Sequence, residues 1–139
     1  GVIVNDAVVT LRDPLACVDL GGIAKGYIAD GILALLRERG VEHALVNLGG
    51  NVAVMGGKPD GAPWRVGVRR PLPSSSMPLL DSFAVLALRD GSAVTSGIYE
   101  RAFEQDGKLY HHILDPRTGF PAETDLLSSM PTGTPPRLS

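Results

Sequence analysis

Between Val18 and Tyr27 the chain reads Val-Asp-Leu-Gly-Gly-Ile-Ala-Lys-Gly-Tyr, setting Asp19, Gly21, Gly22 and Lys25 where a strand gives way to a helix. A lysine in the first turn of a helix is electrostatically misplaced, because the macrodipole puts roughly half a positive charge there and favours anions. A bound polyanion removes the conflict. Free amides, the close approach that Gly21 and Gly22 permit, and the Lys25 ammonium would then converge on phosphate. The alternative is that Lys25 snorkels to water and the glycines only make a tight turn. The segment is not a P-loop, since no Ser or Thr follows Lys25 to hold magnesium.

Three other groups carry polar chemistry at turns. Asn47-Leu48-Gly49-Gly50-Asn51 sets two glycines between amides, which lets backbone approach a flat ring or a phosphate and equally makes a hairpin turn. Thr95-Ser96-Gly97 follows an apolar strand and suits either a polar ligand edge or a plain turn. His111 and His112 point to opposite faces if they lie on a strand, so they are not a paired metal site. Either is a hydrogen-bonded structural residue, or a general base if it faces a cleft. The following Asp115-Pro116-Arg117-Thr118-Gly119 is turn chemistry, with Asp115 able to cap the turn or to bind a metal.

Composition narrows the function. The 139 residues suit one domain, and 44% hydrophobic residues supply a core. A net charge of −2 provides no basic field for nucleic acid. No apolar run approaches the ~20 residues of a membrane span, and no basic leader opens the chain. Cys17 is the single cysteine, so no internal disulfide forms, and its apolar neighbours predict a small buried hydrophobe.

These residues need elements to hold them. The spacing predicts a strand over 2–11, a second over 15–20, and a helix near 22–39 with Ile23, Tyr27, Ile28, Ile32, Leu35 and Leu36 on its apolar face. Arg37, Arg39 and then Gly40 are helix-stop chemistry. Strands are expected at 44–48 and 51–55, at 64–68, 83–88 and 93–95, and at 99–104 and 108–114 around Asp106-Gly107. A flexible loop is expected over 71–82 and a disordered tail over 130–139, leaving one domain over 1–129. The sum is an α+β fold with a largely antiparallel sheet and one long helix packed across it.

Taken in order, the 18–27 segment, Asn47 to Asn51, Trp64-Arg65-Val66-Gly67-Val68, Thr95-Ser96-Gly97-x-Tyr99-Glu100-Arg101 and His112-Ile113-Leu114-Asp115-Pro116-Arg117-Thr118-Gly119-Phe120-Pro121 resemble the ApbE family of FAD:protein FMN transferases, long labelled thiamine biosynthesis lipoproteins. The resemblance implies a T-fold-like domain, incomplete relative to the family. It implies Mg²⁺-dependent transfer of FMN from FAD to a Thr or Ser hydroxyl of a partner flavoprotein, with release of AMP. Within that picture His112 is the base and Lys25 the phosphate anchor. Asp19, Gly21, Gly22, Asn47, Gly49, Gly50, Thr95 and Ser96 contribute to the FAD site, and the Gly22 backbone carbonyl contributes to the metal site. The family's Ala-Asp-Ala-x-x-Thr helix, whose Asp and Thr bind magnesium, has no counterpart after Leu127, where a Pro/Gly-rich stretch follows. The expectation is therefore a weak or inactive chain with exposed apolar surface and a tendency to self-associate. FAD hydrolysis to FMN and AMP, or flavin binding without turnover, are the alternatives. Family members are commonly extracytoplasmic lipoproteins, and this sequence carries no signal or lipobox from which to assign a compartment.

Overall fold

The structure, a computed structural model, describes residues 1–69, 82–98 and 101–133. The centre of the described fold is a hairpin of β3 (Ala44–Leu48) and β4 (Asn51–Met55), joined through Gly49-Gly50. Both glycines have positive φ (58° and 88°), as a two-residue hairpin turn with the right twist demands. β4 pairs on its other side with β7 (Gly91–Val94), and β7 with β12 (Thr132–Gly133), giving a four-stranded antiparallel sheet in the order β12-β7-β4-β3.

Every residue of β4 is buried, because both faces of the sheet are covered there. On one face lies α1 (Ala24–Glu38). Its Ala29 and Leu33 pack on Ala53 and Met55, with Leu36, Val41, Ala44, Val46 and Leu48 around them. Small side chains at Ala29 and Ala53 let the helix sit close to the sheet. On the opposite face Val52 and Val54 meet Val66 of β5 (Trp64–Arg69), flanked by Trp64 and by Leu88 of β6 (Ser82–Leu88). β5 and β6 form their own antiparallel pair. The layers are thus helix, sheet and hairpin, and the Asn-Val-Ala-Val-Met alternation of β4 divides the two cores.

The helix stops as its sequence predicts. Gly40 (φ 78°) donates to the Arg37 carbonyl at 3.0 Å, and the Val41 amide donates to the Leu36 carbonyl at 3.0 Å, a Schellman closure. Its buried stripe differs from the expected one. Ala29 and Leu33 are the buried positions, whereas Ile23, Tyr27, Ile28 and Leu35 are exposed. They lie on flanks that the described chain does not cover.

Smaller pieces surround this centre. Residues 2–11 form a hairpin of β1 (Val2–Asn5) and β2 (Val8–Leu11) and not the single expected strand, since Asp6 takes a left-handed turn conformation (φ 50°). The strand expected over 15–20 does not form, and Leu15, Val18 and Leu20 are exposed along with Cys17, which is not the buried hydrophobe expected. β8 (Ser96–Gly97) pairs with β11 (Ser128–Ser129), and β9 (Ala102–Gln105) with β10 (Lys108–His111). The last pair turns at Asp106-Gly107, as expected. Its expected first strand also included Tyr99 and Glu100, which lie outside the described residues, as does the loop expected over 71–82 except Ser82, now in β6. The expected tail begins too early. Met130 faces a cleft, and Thr132–Gly133 is an edge strand held to Ala93 and Ser92. Two-residue pairing of this kind leaves no apolar period to read. Among the described residues no helix is long and apolar enough to cross a membrane.

Candidate functional site

Asp19 does not reach outward. Its Oδ1 accepts the Gly21 amide at 2.7 Å, folding the chain back before the helix. A Cβ on Gly21 would stand 3.0 Å from that oxygen, whereas one on Gly22 would meet nothing within 4 Å. The helix then starts at Ile23 without any side-chain cap and with no acid in the first turn. The Ile23 and Ala24 amides both donate to the Leu20 carbonyl, at 3.0 and 2.8 Å. Among the described residues the Lys25 and Gly26 amides have no such acceptor. Two of the bare amides anticipated at this helix mouth are therefore internally satisfied, and two are free for a ligand.

Lys25 does not snorkel away. Its Nζ donates to the Gly49 carbonyl at 3.3 Å, tying the helix start to the Gly49-Gly50 turn. One bond leaves an ammonium with two further donors. The turn is shaped by Asn47, whose Oδ1 accepts the Gly50 amide at 3.1 Å, and by the Gly50 carbonyl, which accepts the Thr95 amide at 3.4 Å. The sequence segments around 25, 47–50 and 95 thus converge on one turn.

That turn borders a cleft of ≈ 960 Å³ on the sheet face opposite α1. Asn47, Gly49, Gly50 and Thr95 line it, as do Arg65, Arg69 and Met130. Thr95 Oγ1 lies 3.6 Å from Met130 Sδ. Among the described residues the lining carries two cations and no carboxylate. Ser96, expected beside Thr95, is exposed, pairs with Ser129 and does not line the cleft, because strand alternation turns it away.

The histidines stand elsewhere. His112 is exposed, with Nδ1 3.4 Å from the Arg101 carbonyl, and does not line the cleft. His111 borders a second, smaller hollow of ≈ 520 Å³ with Lys108, Glu123 and Asp125, and among the described residues its buried Nδ1 has no partner. Among the described residues no cavity joins the helix start to the His112 imidazole. Asp115 is committed to its turn: it accepts from the Arg117 amide (2.9 Å), Nε (3.1 Å) and Nη2 (2.8 Å). The Arg117 guanidinium, followed by the Arg117 amide, holds the Asp115 carboxyl below its ordinary range. Asp115 is therefore a turn cap.

The sequence reading did not single out Arg65, Arg69 and Met130 as site residues. The signal for the arginines was available, as two cations in one alternating strand, Arg-Val-Gly-Val-Arg. Met130 had none. A magnesium site at Gly22 would need further oxygen donors beside its carbonyl. Asp19 Oδ1 is engaged by the Gly21 amide, and among the described residues no three His, Cys, Asp or Glu side chains converge. These residues do not by themselves fit the ion.

The sequence profile of the ApbE family matches residues 2–130. The chain belongs to the ApbE family. An FAD:protein FMN transferase of Klebsiella pneumoniae is 48% identical over 118 residues, covering 85% of this chain and 34% of the relative. One of Treponema pallidum is 48% identical over 117 residues, 78% of this chain and 31% of the relative. The ApbE domain described here thus spans about a third of the length of these curated relatives. Among solved structures, the ApbE protein of Thermotoga maritima superposes with a TM-score of 0.73 at 38% identity, covering 91% of this chain and 40% of that one. The flavin transferase ApbE of Vibrio cholerae gives 0.71 at 31% identity, covering 91% and 38%. The α+β architecture, largely antiparallel with one helix across the sheet, is that of ApbE structures.

Proposed function

We propose that this protein takes part in the transfer of FMN from FAD to a Thr or Ser hydroxyl of a partner flavoprotein, with release of AMP. The observation that carries the reading is the Lys25 ammonium, held against the Gly49 carbonyl beside two free helix-start amides. Such a place suits a diphosphate bridge: backbone amides and a cation meet it, and the glycine turn admits it closely. In the transfer, the hydroxyl oxygen bonds to the FMN phosphorus while the bond from that phosphorus to the bridging oxygen of AMP breaks. His112 would take the hydroxyl proton. Most of the work in such a step is positioning and charge neutralisation. Mg²⁺ belongs to this reading through the family resemblance.

A second reading, flavin binding without turnover, is favoured by the place of His112 outside the cleft. The two readings separate on incubation of the protein with FAD, Mg²⁺ and an acceptor flavoprotein. Covalent flavin on the acceptor, lost in His112→Ala, supports transfer. FMN and AMP in solution without covalent flavin indicate hydrolysis. FAD binding with neither product supports the second reading. We further propose self-association through the exposed apolar flank of α1.

A further inference from the structure

Four of the six residues of β5 border the cleft: Arg65, Val66, Gly67 and Arg69. Val66 belongs to one face of the strand and the other three to its opposite face. A strand shows both sets to one space when it turns its edge there. β5 pairs with β6 on one side only, so among the described residues the other edge is free. Arg65 and Arg69 are exposed, and neither forms an ion pair among the described residues. At ~3.3 Å per residue they stand ~13 Å apart along the strand. That is too far to clamp one phosphate and suits an elongated anion.

We infer that this free edge receives an extended, acidic segment of the acceptor protein as an added strand. Main-chain pairing to β5 supplies affinity, and Arg65 and Arg69 take carboxylates four residues apart in the segment. The inference rests on the transfer reading, which requires two ligands. The diphosphate of FAD goes to Lys25 and the Gly49-Gly50 turn, and the same cleft runs from that turn along β5. An acceptor lying there delivers its hydroxyl to the turn. A competing role for the arginines is to keep two copies of the chain from pairing edge to edge. That role predicts no affinity for acidic peptides.

The test is fluorescence anisotropy with short labelled peptides bearing a central Thr and two glutamates four residues apart, compared with the same peptides carrying Gln. The acidic peptide binds more tightly, and the preference shrinks with salt. R65Q and R69Q each weaken it about threefold, as for an exposed ion pair, and the double variant about tenfold. N-methylation of alternate peptide amides abolishes binding, and saturating FAD leaves peptide affinity unchanged. Both arginine side chains are exposed, so circular dichroism of the variants matches the parent. If a variant fails to fold, the salt series on the parent protein decides. Equal affinity for the Gln peptide, indifference to N-methylation, or displacement of the peptide by FAD overturns the inference. Calorimetry of FAD on the parent protein is read separately. Its failure would sink the transfer reading, while a peptide result would still report on the β5 edge.

Discussion

At the scale of single residues, the lysine and the aspartates divide binding from scaffolding. Lys25 sits in a first helical turn, where its charge is unfavourable, and is held there by the Gly49 carbonyl. Asp19 and Asp115 each spend Oδ1 on a nearby amide, and Asp115 Oδ2 accepts from the Arg117 guanidinium. For Asp115 the consequence is measurable. Because its folded pKa is lowered by Arg117, the stability it contributes is present above the unfolded carboxyl pKa and is lost as pH falls through the folded value. An NMR titration should show the Asp115 carboxyl ionising below its ordinary pH, and Arg117→Ala should return it towards that value. An unchanged midpoint in the variant would show that the ion pair at 2.8 Å does not govern this turn. Neither side chain of this exposed pair is expected to move global stability much.

At the scale of elements, turns and caps were the most legible parts of the sequence. Gly49-Gly50 and Asp106-Gly107 announce hairpins because few other residues tolerate their φ values, and Gly40 announces a helix stop for the same reason. Less legible was which face of an element is covered, because that depends on neighbours distant in sequence. The large residues Ile23, Tyr27 and Leu35 suggested the buried stripe of α1, yet Ala29 and Leu33 fill it. The gathering of Lys25, Asn47 to Gly50 and Thr95 in one place was implied by the family resemblance and not by any local signal. The separation of His112 from the cleft was not implied, since no local signal encodes it. Two substitutions test the elements. Leu33→Ala, at a position only 3% exposed, should cost about 2–5 kcal/mol in chemical denaturation. Gly56→Ala should cost more than about 1 kcal/mol, because Gly56 has φ 60° and an added Cβ would collide with the Glu42 carbonyl. A parent-like midpoint for either would contradict the placement of α1 or of the turn after β4.

At the scale of the whole molecule, a helix, a four-stranded sheet and a strand pair enclose two small cores and leave much apolar surface in water. Leu15 is 92% exposed and Tyr27 83%. Sedimentation velocity should show association rising with concentration, reduced in an Ile23→Ser/Tyr27→Ser double variant; a monomer at all concentrations would exclude the proposed interface. The cleft lies on the sheet face away from α1, and the Gly49-Gly50 turn links it to the helix start. The proposed function requires that this junction recognise the diphosphate of FAD. Calorimetry of FAD and of riboflavin, which lacks phosphate, on the parent protein and on Lys25→Met tests that most directly. The parent protein should prefer FAD, and Lys25→Met should lower FAD affinity about tenfold while leaving riboflavin affinity unchanged. Equal affinity for the two flavins in the parent protein, or an FAD affinity indifferent to Lys25, would contradict the proposed function.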